Sequence, residues 1–374
     1  MSAPGDAPAD GAAGSAGSAG SAGSGAPVVV VGAGIAGAAC ARVLVDAGVP
    51  VRVLDRGRRP GGRMSGRRVE TAAGVRVTDL GASYFTVSED PADASAAGPG
   101  DGFAGQVADW EARGLARRWT DTFAVLSGRA ADGARLDGKV STGPWRWGAP
   151  AGLRSLVDDL LAPPGRAAVP VETATEVEGV EAGPDGPSVD GRRAAAVVLA
   201  MPDPQAADLL PRMVASRLDV AARWHYRPSI AVYAAWPERW WPDFDGAFVN
   251  DSDLLTFLAD DGARRGDGAP VLVAHTAPDL SAEHLDDPAA VVAPVVAELG
   301  PLLAGHPTPV PSWNRAHRWS LAQPFKQHAD QPFGLDEATR TAVCGDSWGR
   351  TSKVETAWAS GTALGRELAG RLAP

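Results

Sequence analysis

The sequence predicts an α/β protein in which one domain interrupts another. Three observations carry this: the chain length, a strand–helix–strand unit near the N-terminus, and a second α/β segment at the C-terminus. At 374 residues the chain exceeds the usual size of one domain. Hydrophobic residues make up 45% of it, enough for a large core. Strands alternate with helices at both ends while the middle is richer in strands. The pattern implies an α/β nucleotide-type domain split by an α+β domain with a mixed sheet.

Residues 1–26 consist largely of Ala, Gly, Ser, Pro and Asp and contain the run GSAGSAGSAGSG. Such a segment cannot bury enough apolar surface to offset its ordering entropy, so a disordered tail is expected. Val28 to Val31 is a continuous β-branched run, the pattern of a strand buried on both faces. A glycine-rich turn and a small-residue helix from Ile35 to Ala47 follow, stopped by Gly48. Val51 to Leu54 closes this βαβ unit.

Further along, helices are expected at Phe103 to Leu115, Gly152 to Leu161, Ala289 to Leu303 and Ser360 to Leu372. Strands are expected at Val169 to Thr173, Val177 to Val180, Ala195 to Ala200, Ile230 to Trp236, Val271 to His275 and Thr341 to Cys344. Residues 27–90, 151–203 and 339–374 are assigned to the nucleotide domain, and 91–150 and 204–338 to the substrate domain.

Composition excludes several functions. A net charge of -10 and a pI near 5.1 disfavour nucleic acid and anionic membranes as partners. No apolar run of membrane-spanning length occurs, and the N-terminus lacks the pattern of a secretory signal. Cys40 and Cys344 sit in apolar contexts without metal-type spacing, which fits a reducing cytoplasm. No Ser/His/Asp grouping or metal cluster is evident. Of twelve Trp, most follow residue 200, which suggests large apolar surfaces there, in a ligand cavity, a domain interface or plain core.

The strongest motif is Gly32-Ala-Gly34-Ile35-Ala36-Gly37, between the first strand and first helix. Gly32 permits the tight turn, Gly34 lets a pyrophosphate approach the backbone, and Gly37 lets helix and strand pack closely. The helix N-terminus adds a partial positive charge. Asp55, followed by Arg56, ends the second strand, where a carboxylate can accept ribose hydroxyls. A Rossmann-like dinucleotide site follows, but this motif alone does not separate NAD from FAD.

The next segment, Arg58-Arg-Pro-Gly61-Gly62-Arg63-Met64, resembles the R-x-x-G-G-R pattern of the flavin-containing amine oxidase superfamily. The resemblance implies FAD in a two-dinucleotide-binding fold, with the two glycines and Arg63 beside the diphosphate. Asp79-Leu-Gly81-Ala82-Ser83-Tyr84 is similar to that superfamily's loop against the isoalloxazine ring. The C-terminal Gly345-Asp346 with Lys353-Val354-Glu355 is similar to its closing flavin segment. The resemblance implies that Asp346 bonds the ribityl chain, that the Val354–Glu355 backbone faces flavin N1 and C2, and that Val177 meets adenine. It lacks the cysteine used for covalent linkage in some members, so non-covalent FAD is implied.

Within the superfamily the chain most resembles the renalase branch, through GGRM, DLGASYFT, Trp147 to Gly152, Leu199 to Pro202 and the SKVE run, with His275-Thr276 and His317-Arg318-Trp319. That resemblance implies hydride transfer from dihydro isomers of NAD(P)H to flavin N5, with O2 as the acceptor. His275, His317 and Arg318 are candidates for orienting a small substrate, and Lys353 would repel cationic amines if it points inward. His225 and His328 receive no role. Alternatives are an amine or polyamine oxidase, a secondary-metabolite desaturase, or a non-catalytic NAD(P)- or flavin-binding protein.

Overall fold

Val28–Val31 (β1) is buried at every position because apolar layers cover both of its faces. The computed structural model describes residues 25–71, 74–89, 102–128, 138–183, 186–220 and 226–373. Residues 1–24 of the expected tail, and His225, lie outside the described residues. Strands and helices are numbered in chain order.

β1 pairs in parallel with β2 (Val51–Leu54) on one side and β12 (Val197–Leu199) on the other. β8 (Val171–Glu172) extends the sheet beyond β2, and β19 (Thr341–Val343) beyond β12. An antiparallel edge strand, β18 (Gly334–Asp336), completes six strands in the order β18-β19-β12-β1-β2-β8. β1 is therefore flanked by a strand that follows at once and by one that returns much later. The crevice at the carboxyl end of such a switch point is where open α/β sheets bind ligands.

Helix α1 (Ile35–Asp46) covers one face, together with α2 (Gly102–Ala112), α3 (Arg154–Leu161) and α9 (Val354–Leu372). α1 and α9 pack backbone to backbone: a Cβ on Gly361 would lie 2.0 Å from the Ala36 carbonyl oxygen. This is the physical reason for the small-residue composition of α1. The other face carries a three-stranded sheet of β9 (Val180–Gly183), β10 (Gly186–Val189) and β11 (Arg192–Arg193). Beside it lie α4 (Asp203–Leu209) and α5 (Arg212–Arg217).

The second large sheet has eight strands in the order β17-β13-β16-β15-β14-β6-β7-β5. These are β5 (Phe85–Thr86), β6 (Arg117–Ser127), β7 (Val140–Gly148), β13 (Tyr226–Ala235), β14 (Gly246–Asn250), β15 (Leu255–Asp260), β16 (Val271–Thr276) and β17 (Trp313–Pro324). All neighbours run antiparallel except β14 and β6. The mixed sheet expected for the chain's middle is present. Its outer face buries Ile230, Val232, Ala234, Leu272 and Ala274 against α8 (Val292–Ala304). Two short helices, α6 (Asp261–Arg265) and α7 (Pro278–Glu283), flank β16.

A hairpin of β3 (Gly66–Thr71) and β4 (Gly74–Asp79) lies across the inner face of the eight-stranded sheet. Val69 and Leu80 pack there on Ala231, Tyr233 and Val273. Trp313 Nε1 donates to the Glu70 carbonyl at 2.6 Å and Trp319 Nε1 to the Leu80 carbonyl at 2.9 Å, which pins the hairpin at two points. Several helices and strands differ from expectation only at their ends. Val177, however, precedes β9 in a non-strand segment, because Glu178 and Gly179 donate their N–H groups to Asp190 instead of to a ladder. No helix among the described residues is long and apolar enough to cross a membrane.

Candidate active site

The glycine loop leaves β1 with Gly32 at φ +105°, a left-handed conformation that glycine adopts without strain. A Cβ on Gly37 would lie 2.0 Å from the Gly32 carbonyl oxygen, so only glycine lets α1 start this close to β1. Gly34 differs: nothing in the protein lies within 4 Å of its ideal Cβ, and no side chain caps the start of α1. Two glycines are thus filled by protein, and the third faces open space at a helix N-terminus. That cradle fits a pyrophosphate.

Asp55 is held over the loop by two backbone donors. Ala33 N–H donates to Oδ2 at 2.6 Å and Gly57 N–H to Oδ1 at 2.7 Å. Each oxygen keeps a further lone pair for a ribose hydroxyl. Ile35 and Ala36 are buried behind the loop, and Arg56 is exposed beside it. Gly61 N–H donates to the Ala33 carbonyl at 2.8 Å, which docks the Arg58–Met64 segment on the first glycine loop. Gly62 then packs by its Cα side against Gly34, and Met64 anchors the segment in the core.

Motifs far apart in sequence meet at Arg63. Its carbonyl accepts the Ala82 N–H at 2.9 Å, and a Cβ on Gly81 would lie 1.9 Å from that carbonyl oxygen. Its guanidinium forms a bidentate pair with Asp346, at 3.0 and 2.5 Å, and donates to the Ala322 carbonyl at 3.1 Å. Ser352 Oγ also donates to Asp346, at 2.6 Å. Arg63 and Asp346 are therefore partners of each other, although the sequence assigned them to different parts of the cofactor. Nearby, Gly345 N–H donates to Ser360 Oγ at 3.1 Å.

At the start of α9, Lys353 occupies the N-cap position with an exposed side chain. Glu355 turns its carboxylate toward Ser88, accepting from its N–H at 3.0 Å and its Oγ at 2.7 Å. The backbone at Val354 and Glu355, not the Glu355 side chain, is what this helix start offers a cofactor. Val177 is buried on the far face of the six-stranded sheet.

The inner face of the eight-stranded sheet meets the Gly81–Tyr84 loop. In antiparallel pairs, directly opposed residues share a face. Ala231 opposes His317 on one side and His275 on the other, His275 opposes Phe257, and Phe257 opposes Phe248. One row across the sheet thus reads His317, Ala231, His275, Phe257, Phe248. The structure brings His275 and His317 together and sends Arg318 to the opposite face. There Arg318 opposes Ile230 and donates to the Leu285 carbonyl at 2.6 Å.

Ser83 Oγ lies 3.4 Å from His275 Nε2. Burial, with Arg264 nearby, lowers the His275 pKa to about 4. Burial and the charges of Arg67 and Arg318 lower that of His317 to about 4. Both imidazoles are neutral at pH 7.

Tyr84 stands over the row, with ring centroids 5.3 Å from Phe123 and 6.0 Å from Phe257. The half-buried Tyr84, Phe248, Phe257 and His275 form an aromatic wall, and the buried Arg146 approaches Tyr84 and Phe123. Arg146, Phe123, Phe248 and Phe257 carry no signal in the sequence, because each sits in an unremarkable strand and only β-pairing groups them.

A buried ionic cluster sets the loop's position. Arg264 donates to the Ser83 carbonyl at 2.8 Å and to the Asp79 carbonyl at 3.2 Å, and pairs with Asp261. Arg265 pairs with Asp79 at 3.2 Å, and Asp79 also accepts the Leu153 N–H at 3.0 Å. α6, the loop and α3 are thereby tied together.

A dinucleotide cradle at a parallel-sheet switch point, in a chain whose second sheet carries an aromatic wall, is the arrangement of a cofactor-dependent enzyme. Residues 30–95 match the NAD(P)-binding Rossmann-like domain, and residues 113–367 match the flavin containing amine oxidoreductases. The chain belongs to the flavin containing amine oxidoreductase family and is an FAD-dependent oxidoreductase.

Solved structures share the fold. A protein designated a protoporphyrinogen oxidase, from Exiguobacterium sp. 255-15, is 14% identical, with a TM-score of 0.65 over 93% of this chain and 99% of that one. A triple mutant of putrescine oxidase is 14% identical, with a TM-score of 0.67 over 92% and 99%. Wild-type putrescine oxidase bound to putrescine gives 14% and 0.63 over the same shares. At this identity the likeness is one of fold alone.

Proposed function

We propose that the chain is a renalase-like oxidase that takes a hydride from a flat, electron-rich ring such as a dihydronicotinamide isomer, with O2 as the final acceptor. The observation that carries this reading is the wall opposite the Ser83 loop. It offers aromatic rings, a neutral His275 and a cationic Arg146, a surface suited to a planar neutral or anionic substrate. Cationic exclusion, which the sequence placed at Lys353, is assigned here to Arg146, because Lys353 is exposed.

When bound, FAD supplies the two-electron acceptor. Gly34, Gly61 and Gly62 would lie against its diphosphate while Gly32 and Gly37 shape the turn behind them, Asp55 would hold its ribose, and the Arg63–Asp346 pair its middle. Val177 is assigned to adenine, the Val354–Glu355 backbone and Gly81–Ser83 to the flavin. The chain's own contribution to the reaction is positional. His275 and Tyr84 orient the ring, the aromatic wall excludes water, and no base need take a proton when a dihydropyridine becomes aromatic.

The cofactor is expected to be non-covalent, because Cys40 and Cys344 are both fully buried in the hydrophobic core and burial raises both thiol pKa values. A second reading, an amine oxidase, draws on the same rings, since aromatic faces can frame an alkylammonium.

The discriminating experiment is anaerobic mixing of the purified flavoprotein with dihydronicotinamide isomers and, separately, with putrescine and other amines. Rapid bleaching by the isomers, and H2O2 on admitting air, are expected. Bleaching by amines alone would replace this reading with the second.

A further inference from the structure

Four arginines among the described residues are at most 6% exposed: Arg42, Arg146, Arg264 and Arg265. Three of them have carboxylate partners, in Asp46 for Arg42, Asp261 for Arg264 and Asp79 for Arg265. Arg146 is the exception. Among the described residues no carboxylate oxygen lies within 4.0 Å of its nitrogens. Nη1 donates to the backbone carbonyl of Asp121, and Cζ stands 4.0 Å from the Phe123 ring centroid and 5.9 Å from that of Tyr84.

A guanidinium cannot shed its charge by losing a proton at any physiological pH. Burying it without an anion is unfavourable, and a carbonyl and an aromatic face offset only part of that. A protein tolerates such a group where an anion arrives to complete it.

The local backbone is shaped to aim this side chain. Arg146 opposes Thr120 where the β6–β7 register shifts twice, between Arg118 and Thr120 and again between Thr120 and Thr122. Thr120 Oγ1 pins the irregularity by donating to the Thr122 carbonyl at 3.0 Å. Such bulges re-aim side chains beside functional sites. Here the redirected side chain reaches Tyr84, the residue directly after the Ser83 that approaches His275. Burial raises the Tyr84 pKa, against the pull of Arg146, so its hydroxyl remains a donor.

We propose that Arg146 and the Tyr84 hydroxyl form an oxyanion subsite, which takes a carboxylate or phosphate oxygen of a substrate whose flat ring lies against Tyr84, Phe248 and Phe257. This rests on the reading of the inner sheet face as the substrate side. It selects anionic, planar substrates and disfavours cationic amines.

The test is calorimetric titration of the oxidised flavoprotein with benzoate, phenyl phosphate, benzyl alcohol and benzylamine. At least one of the two anions should bind about tenfold tighter than benzyl alcohol, and benzylamine weakest. Arg146→Gln should weaken that anion about tenfold or more while shifting benzyl alcohol less than about twofold. Tyr84→Phe, which keeps the ring, should weaken it about threefold and serves where Arg146→Gln fails to fold. Anions no tighter than benzyl alcohol, or unchanged by the variant measured, would overturn the proposal. Binding in the oxidised state needs no turnover. A failure of the hydride-acceptor reading would instead appear in the anaerobic bleaching assay on the same preparation.

Discussion

The clearest perturbation separates two glycines of one loop, Gly34 and Gly37, by what a methyl group would meet at each. At Gly37 a new Cβ would lie 2.0 Å from the Gly32 carbonyl oxygen and 3.0 Å from Ala200 Cβ. Real Cβ contacts essentially never fall below 3.0 Å, so α1 would have to retreat from β1 by about 1 Å against backbone that cannot rotate away. Overpacking of this kind costs about 1–3 kcal/mol. At Gly34 the same methyl meets nothing within 4 Å, and the backbone there (φ −76°, ψ −177°) suits any residue.

Gly34→Ala should therefore leave the apoprotein within about 1 kcal/mol of wild type, the scale of an N-cap change. It should still lose FAD affinity by about 10- to 100-fold, or about 1.4–2.7 kcal/mol, because the methyl occupies the space offered to the pyrophosphate. The assay pairs the flavin-to-protein absorbance ratio of the purified variants with the melting midpoint of their apoproteins. A Gly34→Ala protein with full flavin content would refute the placement of the pyrophosphate. One whose apoprotein is as damaged as Gly37→Ala would refute the assignment of open space.

Two further outcomes follow from the site. Arg63→Ala strands Asp346, which is largely buried beside it, and loss of one partner from a buried pair costs about 3–5 kcal/mol, less here because Arg63 is about a quarter exposed. Flavin content and thermal midpoint should fall together, whereas Arg68→Ala, at an exposed position of the hairpin that follows, should change neither; equal behaviour of the two variants would count against the pair. His275 is held neutral, with its pKa lowered from 6.5 to about 4. A folded-state pKa below the unfolded one means the unfolded chain binds the proton first. Stability is thus full above pH 6.5 and is lost as the pH falls from there toward 4. The pH profile of flavin reduction by the substrate should be flat through pH 6.5 and decline only toward 4. An inflection near 6.5 that disappears in His275→Asn would contradict the buried, neutral imidazole.

The cofactor half of the site was legible because its chemistry is local. Gly32, Gly34 and Gly37 act within one turn, Asp55 lies at the end of the next strand, and Gly61 to Arg63 follow directly. A short stretch of chain therefore carries the whole phosphate cradle, and the structure docks its two parts through Gly61 N–H and the Ala33 carbonyl. Strand β1 was equally plain, because four β-branched residues in a row admit little besides a buried strand.

The proposed substrate side was not legible, for a reason that Arg318 and Arg146 show well. His317 and Arg318 are neighbours in sequence, yet a strand points them to opposite faces, so an assignment by adjacency joined residues that the sheet separates. Arg146 looked like one more charge in a strand ending. Its burial, and the lack of a carboxylate partner within reach among the described residues, belong to a register shift against β6 and to a tyrosine far away in sequence.

By itself the sequence determined the α/β class, the dinucleotide cradle and the flavin family, since these depend on residue types at fixed short spacings. Only the tertiary structure decided that Arg63 pairs with Asp346, that His275 and His317 share a face, and that Arg146 is buried against Tyr84. Those relations are set by strand order and register, which bring together side chains that no local spacing connects.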